Sequence, residues 1–227
     1  MNLAYNRNMP NHKPIKFEIL PEKNLGDRVS RIIRENKYAQ NAGKALLALT
    51  VIGGLLTLSA LSVNTVGALA NISARRKNIR RENYRNLWRN FREMKRRHEL
   101  EFVEDSGDYL VYRLTPKGKK LVNKFVFEEM TIKAPKVWDN RWRLIIFDIP
   151  EKFRQGRDAL RRKLEDLGFY QCQKSVWIHP FECIDEVGFI KEMFEIKSFV
   201  SLFTVDDMTD GRIMYYFKDL LKNRIKS

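Results

Sequence analysis

A chain of 227 residues has room for two small domains, each able to bury a core of its own. With 44% apolar and 11% aromatic residues, its composition excludes wholesale disorder. A formal net charge of +15 calls for a polyanionic partner, and nucleic acid and anionic membrane are the two abundant candidates.

Residues 1–43 read as a basic N-terminal tail followed by a short helix. Met1 to Lys23 has no apolar core segment and is expected to be a flexible tail rather than a secretory signal. Gly26 to Tyr38 is basic, with Val29, Ile32 and Ile33 on one side of a short amphipathic helix. From Ala45 to Ala74 no residue is charged. Ala45 to Val63 alone is long enough to span a bilayer, and a membrane anchor over 45–65 is one reading. Gly53-Gly54 breaks the run and polar residues follow closely, which favours the other: two short buried helices separated by a turn. Basic residues flank both ends, so charge gives no orientation.

Arg75 to Arg97 carries eleven Lys or Arg against two Glu. Tyr84, Leu87, Trp88, Phe91 and Met94 recur at spacings of three and four, predicting a helix with one apolar stripe. Arg81, Arg85, Arg89, Arg92 and Arg96 fall off that stripe. One face is expected to pack on the apolar run while the other meets phosphates, each cation releasing a counterion. Leu100 to Val103 and Tyr109 to Leu114 flank the turn formers Asp105-Ser106-Gly107-Asp108, a hairpin signal. Thr115-Pro116 then opens a basic helix, with Thr as N-cap and Pro at the first helical position. This order predicts a winged helix-turn-helix over 44–126, its basic helix in the groove and its hairpin leaning on the DNA backbone. The candidate DNA contacts are Arg80, Arg81, Arg85, Arg89, Arg92, Arg96, Arg113 and Lys117.

Residues 127–140 lack periodicity and contain Pro135, which predicts a linker. Trp142 to Phe147 reads as a buried strand ending at Asp148-Ile149-Pro150. A helix follows, with Phe153, Leu160, Leu164 and Leu167 on its apolar face and Gly168 as its stop. Phe169 to Ile178 reads as strand with a bend near Gln171, Ile184 to Phe194 as helix, and Ser198 to Val205 as the last strand. Together, 141–206 predicts a ferredoxin-like (βαββαβ) domain, making the fold class α+β. Residues 207–227 contain a short helix with Ile213, Tyr216, Phe217, Leu220 and Leu221 apolar. Trp142, Leu144 and Ile146 fall on one face of the first strand and Ile145 and Phe147 on the other. A strand apolar on both faces is rarely left open to water, so Trp142, Leu144, Ile146 and Asp148 are the candidate dimer interface.

Within Trp138 to Phe181 stand Trp138/Asp139/Trp142/Arg143, Phe147 to Pro150, Arg157 to Leu164, Leu167 to Phe169 and Gln173 to Trp177. In these runs the chain resembles the PaaX family of bacterial transcriptional repressors, and Arg113 to Lys119 resembles the end of that family's winged-helix domain. The resemblance covers roughly Lys44 to Asp206. It implies a sequence-specific DNA-binding regulator that dimerises through its ferredoxin-like domain. That domain in turn resembles the small dimeric subunit of the CRISPR spacer-acquisition complex, which implies Asp148 near a two-fold axis and a Mg2+ or Mn2+ ion held there. The chain departs from the family in its longer, Gly-rich apolar helices and in a C-terminal domain reduced to 207–227, so an acyl-CoA response is not expected.

No Ser-His-Asp order, P-loop or Gly-rich phosphate cradle is present, and no cofactor is expected beyond that ion. Asp139, Asp158 and Asp166 show no spacing that would bring them to Asp148. His179 is a general base only if Asp148 or a substrate lies within hydrogen-bond reach, and is expected at the surface. Cys172 and Cys183, without a CxxC pair or a His cluster, fit reduced thiols in or near a core and a cytoplasmic location. The expected partners are double-stranded DNA and a second copy of the chain. A metal-dependent nuclease acting at paired Asp148 and an inner-membrane-anchored DNA binder are the alternatives.

Overall fold

The computed structural model describes residues 13–18, 55–56, 77–208, 210–222 and 224, with side chains omitted at 55–56 and 77–84. The chain divides into two compact units, Met1–Glu129 and Met130–Ser227.

The first unit holds the strands β1 (Ile15–Phe17), β2 (Leu55–Leu56), β3 (Leu100–Asp105) and β4 (Leu110–Leu114), and the helices α1 (Lys77–Arg96) and α2 (Pro116–Glu129). Its sheet has the order β2-β1-β4-β3. The expected N-terminal tail is corrected here. Ile15 and Phe17 alternate with Lys16 and Glu18, the period-2 signature of a half-buried strand, and both apolar side chains are buried. β1 lies parallel to β4 and antiparallel to β2, so the N-terminus supplies an interior strand. Leu55–Leu56, within the apolar run 45–65, is a strand paired with β1, and the rest of that run lies outside the described residues. Among the described residues no helix is long and apolar enough to cross a membrane. The expected helix at 26–38 and the rest of the two expected apolar helices lie outside the described residues.

α1 buries Leu87, Trp88, Phe91 and Met94, the stripe set by its 3.6-residue period. Phe91 meets Trp88, Tyr112 and Phe17 edge-on, with ring centroids 5.5, 5.1 and 6.3 Å apart. The helix ends in a left-handed residue, His98 (φ 57°), with Glu99 N–H returning to the Met94 carbonyl at 2.9 Å. α2 starts where Thr115-Pro116 predicts: Thr115 Oγ1 accepts from Gly118 N–H at 3.1 Å and donates to the His98 carbonyl at 2.8 Å. This cap brings the first turn of α2 against the end of α1. A β-carbon on Gly118 would stand 2.1 Å from the Glu99 carbonyl oxygen, so only glycine fits.

The second unit holds β5 (Trp142–Phe147), α3 (Arg154–Asp166), β6 (Tyr170–Gln173), β7 (Val176–His179), α4 (Ile184–Met193), β8 (Val200–Val205) and α5 (Gly211–Leu221). The single stretch expected over Phe169 to Ile178 is two strands of a hairpin, bulged between Gln171 and Gln173. The sheet order is β6-β7-β5-β8 with every pair antiparallel. With α3 after the first strand and α4 after the third, this is the βαββαβ connection. Gly168 closes α3 at φ 82°, with Phe169 N–H bonded back to Leu164 at 3.0 Å.

Two expectations about this unit are corrected. The stretch 127–140 is not a free linker: Phe127 to Glu129 complete α2, and Ile132, Ala134 and Trp138 join the core of the second unit. His179 is not a surface histidine. It is 3% exposed, its ring lies 4.9 Å from Phe169 and 5.8 Å from Phe217, and its Nδ1 accepts from Phe181 N–H at 3.1 Å. Its site is set by the apolar residues that pack around it.

Two outcomes are expected. Gly118→Ala should destabilise the first unit by about 2 kcal/mol or more, because neither the Glu99 backbone nor Leu114 has room to give; denaturant unfolding followed by the near-ultraviolet signal of Trp88 checks this. Burial holds the His179 pKa down, from the usual 6.5 to about 4. The neutral ring therefore contributes full stability above pH 6.5, and that contribution is lost as pH falls toward 4, roughly 3 kcal/mol in all. An NMR titration should place the His179 midpoint near 4; a midpoint of 6 or above would contradict the burial argument.

Candidate nucleic-acid interface

Burying the Leu87/Trp88/Phe91/Met94 stripe turns the remaining face of α1 outward. Arg85, Arg89, Arg92 and Arg96 are all exposed. Their spacings of four, three and four put them in one row of about 16 Å along the helix. Arg80 and Arg81 belong to the same helix by sequence, but their side chains lie outside the described residues.

The row is not uniformly free. Glu93 bonds Arg96 at 2.6 Å and Arg97 at 2.8 Å, and these guanidinium groups hold its carboxyl below the usual range, the Arg96 hydrogen bond most strongly. Among the described residues no carboxylate pairs with Arg85, Arg89 or Arg92, which carry the row's charge toward the middle of the helix. At its end Lys117 adds a cation, donating to the Arg97 carbonyl at 2.8 Å. Arg113 on β4 is exposed but its guanidinium is bonded to Glu101 across the hairpin, and this raises its pKa. It is less open to phosphate than its place in the sequence implies.

The hairpin itself is acidic. Glu101, Glu104, Asp105 and Asp108 are exposed, and no Lys or Arg occurs between Leu100 and Tyr112. Asp105 is paired with Lys13, which precedes β1, and that hydrogen bond lowers its pKa.

In the second unit the candidate dimer residues divide. The register puts Trp142, Leu144 and Ile146 on one sheet face with Val205, Phe203 and Ser201, as the alternation predicts. That face is not wholly open, because the Ile213/Phe217/Leu221 stripe of α5 covers part of it. Trp142 is buried, 5.7 Å from Phe217 and 5.1 Å from Trp138, and half-buried Leu144 packs on the same cluster. Ile146 at 40% and Phe203 at 50% remain exposed. The sequence shows the apolar stripe of α5 without showing which surface it covers.

Asp148 is exposed, and its backbone N–H bonds the Phe199 carbonyl at 3.0 Å. Among the described residues no three His, Cys, Asp or Glu side chains come together as a metal site. His179 pairs with Arg143 across the sheet, five residues from Asp148, which is about 16 Å of strand. It cannot act on a group at Asp148. Both cysteines are free; Cys183 is buried and burial raises its pKa, while Cys172 is exposed on β6.

Much of the motif around Trp138 serves the fold. Arg143 is buried, with Nη atoms 2.7 and 2.9 Å from the Asp139 carboxylate, 3.1 Å from Glu182, and 2.7 Å from the Arg141 carbonyl. Trp138 Nε1 donates to the Pro180 carbonyl at 2.7 Å.

No curated protein matches the chain. Residues 135–213, about a third of the chain, match the family model described as the PaaX protein central Cas2-like domain, so the second unit is similar to the middle domain of that family.

Proposed function

We propose that the chain is a sequence-specific DNA-binding transcriptional regulator, a repressor, that uses a winged-helix module over 44–126 and dimerises through the ferredoxin-like domain. The observation that carries this reading is the two-faced α1, whose arginine row is held outward by the burial of Leu87, Trp88, Phe91 and Met94. A solvated helix face does not need eleven Lys or Arg in twenty-three residues, whereas phosphate neutralisation does. Three further features support it: a hairpin directly after that helix, the N-capped α2 that closes the module, and the match of 135–213 to the central domain of a repressor family.

For the dimer, support comes from the part of the sheet that α5 leaves open. Ile146 and Phe203 lie on the same face of neighbouring strands, with Asp148 beyond them at the end of β5. A two-fold axis through this patch would bring the two Asp148 side chains together, and a dimer of that symmetry matches the symmetry of a palindromic site.

If the reading holds, affinity for duplex DNA falls with salt at a log–log slope steeper than about −4. Arg85→Ala together with Arg89→Ala lowers that slope by about 2 while the melting temperature is kept, since neither side chain packs in the core. Fluorescence anisotropy across a salt series measures both, and a slope near zero would overturn the assignment. Sedimentation at micromolar concentration should give twice the 27.0 kDa chain mass, and Ile146→Glu with Phe203→Glu should return it to monomer. A wild-type monomer would remove the dimer.

A further inference from the structure

In a winged helix that grips the DNA backbone with its hairpin, the wing would carry cations. Here it carries carboxylates. We propose that the β3–β4 hairpin opposes the phosphate backbone rather than holding it, so that the carboxylates of Glu104 and Asp108 limit how tightly the α1 arginines bind nucleic acid of any sequence. This rests on the nucleic-acid reading above and deepens it.

Two observations carry the inference. The first is distance. Lys95 of α1 donates to Tyr112 Oη at 2.9 Å, which ties the basic helix to the middle of β4. Two residues further along β4, Leu110 pairs with Asp105 at the start of the turn. Glu104 pairs with Val111, and Asp108 lies in the turn beyond Leu110, so strand spacing puts the two carboxylates on the order of 10–15 Å from the Lys95–Tyr112 contact, about the screening length at 50–100 mM salt. Phosphates drawn to the Lys95 end of α1 therefore sense the hairpin tip at low salt and are screened from it at high salt.

The second is the distribution of charge within the hairpin. Glu101 is answered by Arg113 and Asp105 by Lys13. No Lys or Arg pairs with Glu104 or Asp108 among the described residues; Glu104 accepts from Ser106 Oγ at 3.2 Å. Among the described residues, negative charge without a basic partner thus collects at the tip. β3 is also the outer strand of its sheet, and charged side chains protect such an edge from pairing with another chain. Lysine would do that equally well, and this chain has 43 Lys and Arg against 28 Asp and Glu. Edge protection accounts for charge at these positions and leaves its sign unexplained, whereas opposition to phosphate accounts for both.

The test is anisotropy with a 20-base-pair DNA duplex of random sequence at 50 and 300 mM salt, on wild type, E104Q/D108N, E104K/D108K and R85A/R89A. Each variant is melted alongside, to separate folding from binding. The neutral variant should bind roughly three- to tenfold tighter at 50 mM, the lysine variant tighter still, and both gains should shrink at 300 mM. Equal or weaker binding by both wing variants, with melting unchanged and R85A/R89A impaired, would overturn the inference and leave the nucleic-acid reading standing. No binding by wild type, or no effect of R85A/R89A, would remove that reading and this inference with it.

Discussion

Phe91 sits where Trp88, Tyr112 and Phe17 converge, and the orientation of α1 follows from that convergence. On a helix with 3.6 residues per turn, fixing the direction of one side chain fixes all the others. Once Phe91 points into the sheet, Leu87, Trp88 and Met94 follow it into the core, and Arg85, Arg89 and Arg92 are turned to water. The apolar contacts that hold the helix and the row of cations that gives it a candidate function are two consequences of one azimuth. A substitution that rotated α1 would damage both together. β1 belongs to this arrangement as well, since Phe17 forms one wall of the Phe91 site, which gives the N-terminal segment a structural role.

In the second unit a comparable part is played by a charge. A buried guanidinium is tolerable only if its lost hydration is replaced, and the two Nη groups of Arg143 meet that condition with Asp139, Glu182 and two backbone carbonyls, while its buried Nε has no partner among the described residues. These groups come from both ends of the unit's first half, so the ion cluster joins the segment before β5 to the turn after β7. Trp138 reinforces the same join through the Pro180 carbonyl. The dense motif around Trp138 to Arg143 is thus explained by packing, and no catalytic role is needed to account for it. Part of the sheet face beside it is covered by α5: Phe217 lies on Trp142 and His179, which makes this last described helix part of the core.

Charge is distributed unevenly along the first unit, with a concentrated positive helix next to a hairpin whose tip is negative. Electrostatic association strengthens wherever positive charge gathers and does not by itself distinguish one sequence from another. In the function proposed above, a repulsive element near the DNA-binding face would subtract from that non-specific attraction and leave groove contacts to separate one site from another.

Periodicity in the sequence was enough to locate most elements, because helix and strand place their apolar residues at spacings of their own. The stripe of α1, the Thr115-Pro116 start of α2, the Gly168 stop of α3, and the two faces of β5 could all be read from residue order. The arginine row could be read for the same reason, since it is what remains of α1 once the stripe is removed. Ile15-Lys16-Phe17-Glu18 carried a strand pattern too, but four residues are too few to separate from chance without a partner strand. What the tertiary structure alone decided was which surface covers which. α5 covers part of the face that Trp142 offers, aromatic packing encloses His179, and Ile132, Ala134 and Trp138 pack on the core of the second unit. Local spacing reports the face a residue takes on its own element, whereas burial depends on contacts between segments far apart in the chain, and no local pattern encodes those.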